Sequence, residues 1–286
     1  MSRVRRCEGA EAAVVVRGAR RSRDAERRRP IPRGRGRLLR RLLRLRLEPP
    51  SYALLTHPDG NVHWRPMDAV ERAAALREYA EQTATCTKCA LAEGRTQVVF
   101  GAGNPNADLM FVGEAPGFHE DQQGVPFVGQ AGKLLERLLE GIGLSRSDVY
   151  IANTAKCRPP GNRDPLPDEL AACEPHLFRQ IELIEPKLVA TLGNFATKLL
   201  SGKPAGITRV HGHEQEVTLG SRTVSLYPIY HPAAALYTRS MLKVLEEDFA
   251  RIPELLERTQ EVPPEDAEAP AVRLELEPEP VQLGLF

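Results

Sequence analysis

Four short apolar runs, separated by helical patterns, restrict the fold of this 286-residue chain more than any other feature. The runs predict buried strands at Leu109–Gly113, Val149–Thr154, Leu188–Gly193 and Ser225–His231. Helices are predicted where apolar residues recur at helical spacing, at residues 67–82, 130–142, 167–184, 194–200 and 241–258. Strands that alternate with helices indicate an α/β fold, here a three-layer α/β/α sandwich with a short central parallel sheet.

Three of the four predicted strands end in polar or glycine-rich residues. These ends are Gly113-Glu114, Asn153-Thr154 and Tyr230-His231. Parallel strands bring their carboxyl ends to one edge of the sheet, and open α/β sheets bind their ligands beyond that edge. The sequence therefore predicts a functional site there.

Charge is distributed unevenly along the chain, although the formal net charge is only +1. Residues 1–50 contain 17 Arg and carry a net charge of +12, whereas residues 259–286 carry −6. We therefore predict an Arg-rich disordered extension (1–66), one folded domain (67–258) and an acidic disordered tail (259–286). The extension is either an electrostatic arm for nucleic-acid phosphates or dispensable. The acidic middle would need a local basic patch to bind nucleic acid.

Four cysteines in the folded domain indicate a metal site. Cys86 and Cys89 are separated by two residues, and Cys157 and Cys173 bracket a proline-rich stretch. No apolar run approaches the roughly 20 residues that span a bilayer, and no secretion signal is recognised. We therefore expect a cytoplasmic protein with reduced thiols. Four thiolates suit a tetrahedral metal or an iron–sulfur cluster, and their spacing leaves both open.

Three sequence blocks follow the predicted strands. They are Gly113–Gly117 (GEAPG) with Glu120-Asp121 and Gly124–Gly129 (GVPFVG), then Asn153–Pro165 (NTAKCRPPGNRDP), then His231–Leu236 (HPAAAL). In this order and with the four cysteines, they resemble the family 4 uracil-DNA glycosylases of bacteria and archaea, over about residues 80–255. The resemblance implies a uracil-DNA glycosylase-like fold and hydrolysis of the N-glycosidic bond of deoxyuridine in DNA. It also implies a [4Fe–4S] cluster on Cys86, Cys89, Cys157 and Cys173.

The resemblance assigns a uracil pocket as well. A glycosylase must extrude the nucleotide and hold its base by stacking and by hydrogen bonds to the base edge. Phe127 is the expected stacking ring, with an ordinary core phenylalanine as the alternative. Asn153 offers one acceptor and two donors, which match uracil N3–H and O4 but not cytosine. The expected uracil contacts are Gly113, Ala115, Phe127, Asn153 and His231.

The chemistry requires stabilisation of the departing uracil anion and a group that positions the attacking water. His231 matches the family histidine near uracil O2. Glu114 and Glu120 are the candidate carboxylates and Asn162 is a further candidate, and the sequence does not divide the roles among them. Ala115 occupies the position where the better-known family 1 enzymes have an aspartate.

Contacts with the DNA backbone are expected from Arg158, Arg163 and Arg239, with Lys156 and Arg209 as further members of a basic patch. Leu236 is expected to wedge into the duplex where the base leaves, with Tyr237 as the alternative. Nothing in the sequence shows Lys156 to be desolvated, so Schiff-base chemistry is not expected. The enzyme should be monofunctional.

The chain ends in an apolar motif on the acidic tail, formed by Gln282, Leu283, Leu285 and Phe286. It resembles the short motif with which bacterial repair proteins dock on the sliding DNA clamp. We expect a monomer located at the nucleoid that acts on single- or double-stranded DNA containing uracil. The alternative is a non-catalytic iron–sulfur electron carrier or DNA-binding protein, although electron transfer needs none of the predicted pocket residues.

Overall fold

The computed structural model describes residues 52–56 and 62–260. The strands are β1 (Tyr52–Thr56), β2 (Val62–Pro66), β3 (Ala102–Gly103), β4 (Leu109–Gly113), β5 (Tyr150–Asn153), β6 (Leu188–Leu192), β7 (Gln215–Leu219) and β8 (Arg222–Ile229). The helices are α1 (Ala69–Ala84), α2 (Leu91–Gly94), α3 (Phe118–Gln123), α4 (Gln130–Gly141), α5 (Pro167–Ile184), α6 (Asn194–Ser201), α7 (Ile207–Val210), α8 (Ala233–Tyr237), α9 (Ser240–Ala250) and α10 (Ile252–Gln260). A 3₁₀ turn covers Pro160–Asn162.

A six-stranded sheet forms the centre of the molecule, in the order β3-β5-β4-β6-β8-β7. The four inner strands are parallel and correspond to the four predicted strands. β4 has the predicted bounds, β5 is shorter by two residues and β6 by one, and β8 begins three residues earlier and ends two residues earlier than predicted. The two edge strands are antiparallel to their neighbours and were not predicted. The sheet is therefore mixed, and the expectation of a parallel sheet holds only for its centre.

Successive residues of the inner strands face opposite sides of the sheet, as a pleated strand requires. Leu109 and Phe111 of β4 pack in one core with α4, α9 and α10. Met110 and Val112 of the same strand pack in a second core with α1, α5 and α6. Helices thus cover both faces, and the three-layer α/β/α sandwich is confirmed.

The ends of the folded domain differ from the prediction. β1 and β2 pair as a two-stranded antiparallel sheet within the stretch predicted to be disordered up to residue 66. The predicted helix over 241–258 is divided into α9 and α10 between Ala250 and Ile252. Pro253 explains the division, because it lacks the N–H that would continue the hydrogen-bond ladder of α9. Residues 1–51 and 261–286, with the tail motif, lie outside the described residues.

None of the helices in the described part of the chain is both long and apolar enough to cross a membrane.

Candidate active site

Gly113 lies where the predicted pocket residues meet. It is the last residue of β4 and pairs in register with Asn153, the last residue of β5. A Cβ atom at Gly113 would lie 2.5 Å from Asn153 Oδ1 and 2.7 Å from Phe127 Cζ. Such distances are shorter than any normal contact, so only glycine allows the amide and the ring to approach the strand end. The structure thus brings together three of the predicted uracil contacts.

Asn153 carries an unusual polar atom. The residue is 2% exposed, and its Oδ1 has no hydrogen-bond partner among the described residues. A buried acceptor without a partner costs about 1–3 kcal/mol, so native proteins rarely retain one without a function. The atom lies at the carboxyl ends of the parallel strands, the edge at which open α/β sheets bind their ligands.

Phe127 is held in a strained conformation by its neighbours. Its backbone φ is +55°, which is unfavourable for a residue with a bulky side chain. Arg146 donates hydrogen bonds to the carbonyl oxygens of Phe127 (2.9 Å) and Pro126 (2.6 Å). On the other side, a Cβ at Gly132 of α4 would lie 1.8 Å from the Phe127 carbonyl oxygen. Strain of this kind is a common feature of functional sites.

The Phe127 ring stacks on His231, with ring centroids 5.5 Å apart and planes inclined by 29°. The ring also belongs to the hydrophobic core on the α4 face of the sheet. The core alternative and the pocket interpretation are therefore both consistent with its position.

His231 is fixed in one tautomer. Its Nδ1 accepts a hydrogen bond from the backbone N–H of Ala233 at 3.1 Å, so the ring proton is on Nε2. Burial lowers the pKa of His231 to about 4, although the nearby Glu120 acts in the opposite direction. The imidazole is consequently neutral near pH 7 and presents Nε2–H as a donor.

Glu114 follows Gly113 and is partly buried. Its backbone oxygen accepts hydrogen bonds from the Thr154 hydroxyl and from the Ala155 N–H, which fix the residue to the end of β5. Burial, assisted by the negative charge of Asp164, raises the pKa of the Glu114 carboxyl to about 7. A carboxyl group that titrates near neutral pH is suited to proton transfer.

Glu120 makes different interactions. Its carboxylate accepts hydrogen bonds from the backbone N–H groups of Gly117 (3.1 Å), Val128 (2.9 Å) and Gly129 (3.0 Å). These bonds tie α3 to the loop that carries Phe127. The neighbouring Asp121 is 2% exposed and accepts from the Thr96 N–H. The acidic pair is therefore not a solvated turn, and the structure favours a positioning role for Glu120.

The segment after β5 holds the other polar candidates. Asn162 is exposed, has φ of +55°, and its Oδ1 accepts a hydrogen bond from Arg158 Nε at 2.7 Å. Arg163 forms two hydrogen bonds with the buried Glu169, at 2.9 and 2.6 Å. A contact between Arg163 and DNA stays a prediction, but this guanidinium already has a carboxylate partner.

Lys156 was wrongly predicted as part of a basic patch. Its side chain is 1% exposed, and Nζ donates to the Asn153 carbonyl oxygen at 2.8 Å and to Gln180 Oε1. Burial lowers the pKa of Lys156 to about 8. The lysine is desolvated, contrary to the expectation, but it is fixed beneath the strand end rather than open to a substrate.

The proposed wedge lies at the surface. Leu236 is 44% exposed and Tyr237 is 89% exposed, both on α8 immediately after His231. Arg239 is also exposed. Ala115, by contrast, packs against Leu91, Ala155 and Cys157, so a uracil contact is expected only from its backbone.

All four predicted cysteines line one small cavity between the start of α2, the segment after β5, and α5. Cys157 and Cys173 are buried, while Cys86 and Cys89 are partly exposed. Cys86 Sγ lies 3.3 Å from His176 Nε2, and the Lys156 N–H points at Cys173 Sγ at 3.2 Å. Within the described residues, no three His, Cys, Asp or Glu side chains are grouped closely enough to hold a single metal ion.

Comparison with known proteins decides the family. The Uracil DNA glycosylase superfamily profile matches residues 100–255. The type-4 uracil-DNA glycosylase of Sulfurisphaera tokodaii is 48% identical over 186 residues, which cover 63% of this chain and 84% of that protein. The chain belongs to the type-4 uracil-DNA glycosylases. The type-4 enzyme of Archaeoglobus fulgidus is 44% identical, over 65% of this chain and 96% of that protein. The type-4 enzyme of Thermotoga maritima is 42% identical, over 63% of this chain and 94% of that protein.

Three residues that support the site of this type-4 glycosylase were missed in the sequence. Arg146 and Gly132 hold Phe127, and Gln180 holds Lys156. Gly132 gave a usable signal, because a glycine in the first turn of a strongly amphipathic helix indicates a close backbone contact. Arg146 and Gln180 gave none, since their partners lie 19 and 24 residues away along the chain.

Proposed function

We propose that this protein hydrolyses the N-glycosidic bond of deoxyuridine in DNA, releasing uracil and leaving an abasic site for base excision repair. The buried, unpartnered Oδ1 of Asn153 beside the Phe127 ring carries the proposal. Uracil N3–H supplies the missing donor, whereas cytosine has no proton at N3 and offers no donor at that position. The family of the chain supports the same activity over a non-catalytic iron–sulfur protein.

His231 stabilises the departing uracil in this proposal. Cleavage leaves negative charge on the base, and a neutral imidazole with Nε2–H is a donor for uracil O2. The low pKa of His231, about 4, keeps it in this state at neutral pH. The Gly117 amide does not assist, because Glu120 already accepts from it.

Glu114 positions and activates the attacking water. It is the one of the three polar candidates whose side chain has no hydrogen-bond partner among the described residues, since Glu120 binds three amides and Asn162 binds Arg158. Its ionised form also favours the positive charge that develops on the sugar. This division of roles leaves Glu120 and Asn162 as positioning residues.

The enzyme is monofunctional in this proposal. A lyase needs an amine that attacks the sugar. The candidate amine is that of Lys156, which is buried and lies three residues after Asn153. Its Nζ is engaged by Asn153 and Gln180, so it cannot reach a substrate without breaking both bonds.

The cavity lined by Cys86, Cys89, Cys157 and Cys173 would hold a [4Fe–4S] cluster through these four thiols. The family of the chain supports this assignment over zinc. When bound, the cluster would cross-link the start of α2, the segment after β5, and α5. Glycosidic hydrolysis transfers no electrons, so we assign it a structural role.

The DNA contacts of Arg158, Leu236 and Arg239, the monomeric state and the nucleoid location stay predictions. The same holds for docking on the sliding clamp, since Gln282, Leu283, Leu285 and Phe286 lie outside the described residues.

The test is cleavage of a uracil-containing oligonucleotide by anaerobically purified protein, followed by alkali, beside a thymine control. Strand breaks only at uracil and only after alkali are the expected result. Breaks without alkali would show lyase activity, and no breaks from iron-loaded protein would overturn the proposed function.

A further inference from the structure

Phe118 is an exposed aromatic residue at the start of α3, directly after the Gly113–Gly117 segment. It is 51% exposed. Single apolar residues at a surface are common and by themselves indicate nothing. Phe118 differs because its ring is braced by charged and aromatic neighbours. The guanidinium carbon of Arg158 lies 5.0 Å from the ring centroid, and the His119 ring packs edge-on at 5.5 Å.

Arg158 is fixed but not neutralised. Its Nε donates to Asn162 Oδ1 at 2.7 Å, which holds the guanidinium over the ring. Among the described residues, none accepts a hydrogen bond from its two terminal nitrogens or forms an ion pair with it. The pair therefore presents an aromatic face together with a positive group that has free donors.

The pair lies on the two chain segments that lead away from the uracil pocket. Phe118 shares a six-residue helix with Glu120, which binds the two amides that follow Phe127. Arg158 lies five residues after Asn153 on the segment that leaves β5. The segments that carry Glu120 and Asn153 thus meet where Arg158 covers Phe118.

We propose that Phe118 and Arg158 form a second nucleotide subsite, which binds the nucleotide next to the extruded deoxyuridine. Phe118 stacks on its base, and the terminal nitrogens of Arg158 bind its phosphate. The inference rests on the proposed function. Because every base offers a π-face, the subsite is indifferent to sequence. It favours single-stranded DNA, where the neighbouring base is free to leave its stack.

The test uses single-stranded oligonucleotides in which the base beside uracil, on either side, is replaced by a tetrahydrofuran abasic residue. For the wild type, removal of the base on one side should raise KM about tenfold, as expected for the loss of one stacked base. Phe118→Ala should raise KM for the intact strand by a similar factor, and should then be insensitive to removal of the neighbouring base. Phe118→Trp should restore the sensitivity, and Phe118→Leu should not.

Val70→Ala is the matched control for Phe118→Ala, because Val70 is 76% exposed on α1 and has no part in the site.

Arg158→Ala should weaken DNA binding and lower the salt dependence of KM, whereas Arg158→Lys should keep part of both. Equal sensitivity to the missing base in wild type and Phe118→Ala would overturn the subsite while uracil excision continued. Absence of excision by the wild type would instead overturn the proposed function.

Discussion

Glu114 is the residue whose ionisation should control the rate. The water-activating form is the carboxylate, and the pKa of this group is raised to about 7, whereas His231, with a pKa of about 4, stays neutral over the same range. We predict that kcat/KM rises with pH up to about 7 and then levels off. Glu114→Gln should remove this limb and lower kcat by about 10²–10⁴-fold. Single-turnover excision between pH 5 and 9 measures both effects.

The same substitution provides an internal control on stability. Folding raises the pKa of Glu114, so the unfolded chain loses this proton at a lower pH than the folded protein does. Ionisation of Glu114 therefore lowers the free energy of unfolding as the pH rises to about 7, and the effect is constant above that pH. Glu114→Gln should therefore be more stable than the wild type at pH 8, by about 1–2 kcal/mol after allowance for partial solvent screening, and equal to it below pH 4. An inactive variant that is also less stable at pH 8 would point to misfolding instead of lost chemistry.

Asn153 should show the same opposition between activity and stability. Asn153→Leu removes the unpartnered Oδ1 and keeps the number of side-chain heavy atoms, so the free energy of unfolding should stay equal or rise by about 1–2 kcal/mol. Excision of uracil should fall about 10- to 100-fold, because two hydrogen bonds to the base edge are lost. Chemical denaturation and kcat/KM on one preparation measure both. A large loss of stability would show that Oδ1 has a structural partner.

Lys156 shows where reasoning from single residues failed. A lysine between a predicted strand and a cysteine suggests a surface cation, since lysine is almost never fully buried without partners. Its partners are the Asn153 carbonyl oxygen, three residues back, and Gln180 of α5. Only the packing of α5 under β5 reveals the second partner, so the sequence alone could not predict the burial.

At the scale of elements, the contact of α4 with the Phe127 loop is the most restrictive packing in the site. Gly132→Ala would place a Cβ 1.8 Å from the Phe127 carbonyl oxygen, so either the helix or the loop must move. We predict a destabilisation of about 1–3 kcal/mol together with a strong loss of excision, because Phe127 leaves the stacking position. Thermal unfolding and kcat/KM measure the two effects.

Gly141 offers the matched control on the same helix. A Cβ there meets nothing within 4 Å, and Gly141→Ala should be neutral or stabilising by at most about 1 kcal/mol. If both variants behaved alike, the cost at Gly132 would come from the helix and not from the contact with Phe127.

The sequence predicted the inner elements well and the edges poorly, for a physical reason. Strands buried on both faces, such as β4 and β6, are continuous apolar runs that stand out from their surroundings. The edge strand β7 is buried on one face at most, and β3 has only two residues. Gly220, with φ of +63°, was an overlooked turn signal between β7 and β8. The pocket could be predicted from motif order, but the roles of Glu114 and Glu120 depended on their hydrogen bonds.

At the scale of the whole molecule, the cysteine cavity should determine stability. Three separate parts of the chain meet there, so Cys157→Ser should lower the iron content and the melting temperature, the latter by roughly 10 °C for a loss of about 3 kcal/mol. Asn153 is four residues away, so uracil affinity should fall as well. Iron analysis and calorimetry measure the first two effects. Cys7→Ser, at the fifth cysteine of the chain within the Arg-rich residues 1–50, is the control. Intact iron content in Cys157→Ser would remove Cys157 from the ligand set.

The C-terminal motif should act independently of the catalytic domain. Deletion of residues 282–286 is predicted to abolish binding to the sliding clamp, because the Leu285 and Phe286 side chains are the expected anchors. Excision from free oligonucleotides should be unchanged. Surface plasmon resonance with immobilised clamp measures the first effect, and clamp binding by the truncated protein would reject the motif.

The glycine contacts at Gly113 and Gly132 bear on the gene as well as on the protein. Every glycine codon begins with two guanines, each paired with a cytosine. Deamination of either cytosine, left unrepaired, converts the codon to one for serine, arginine, aspartate or glutamate, and all of these side chains add a Cβ where none fits. The gene is therefore vulnerable at these codons to the lesion that its product removes, and a cell that acquires such a mutation loses this enzyme's protection against the next one.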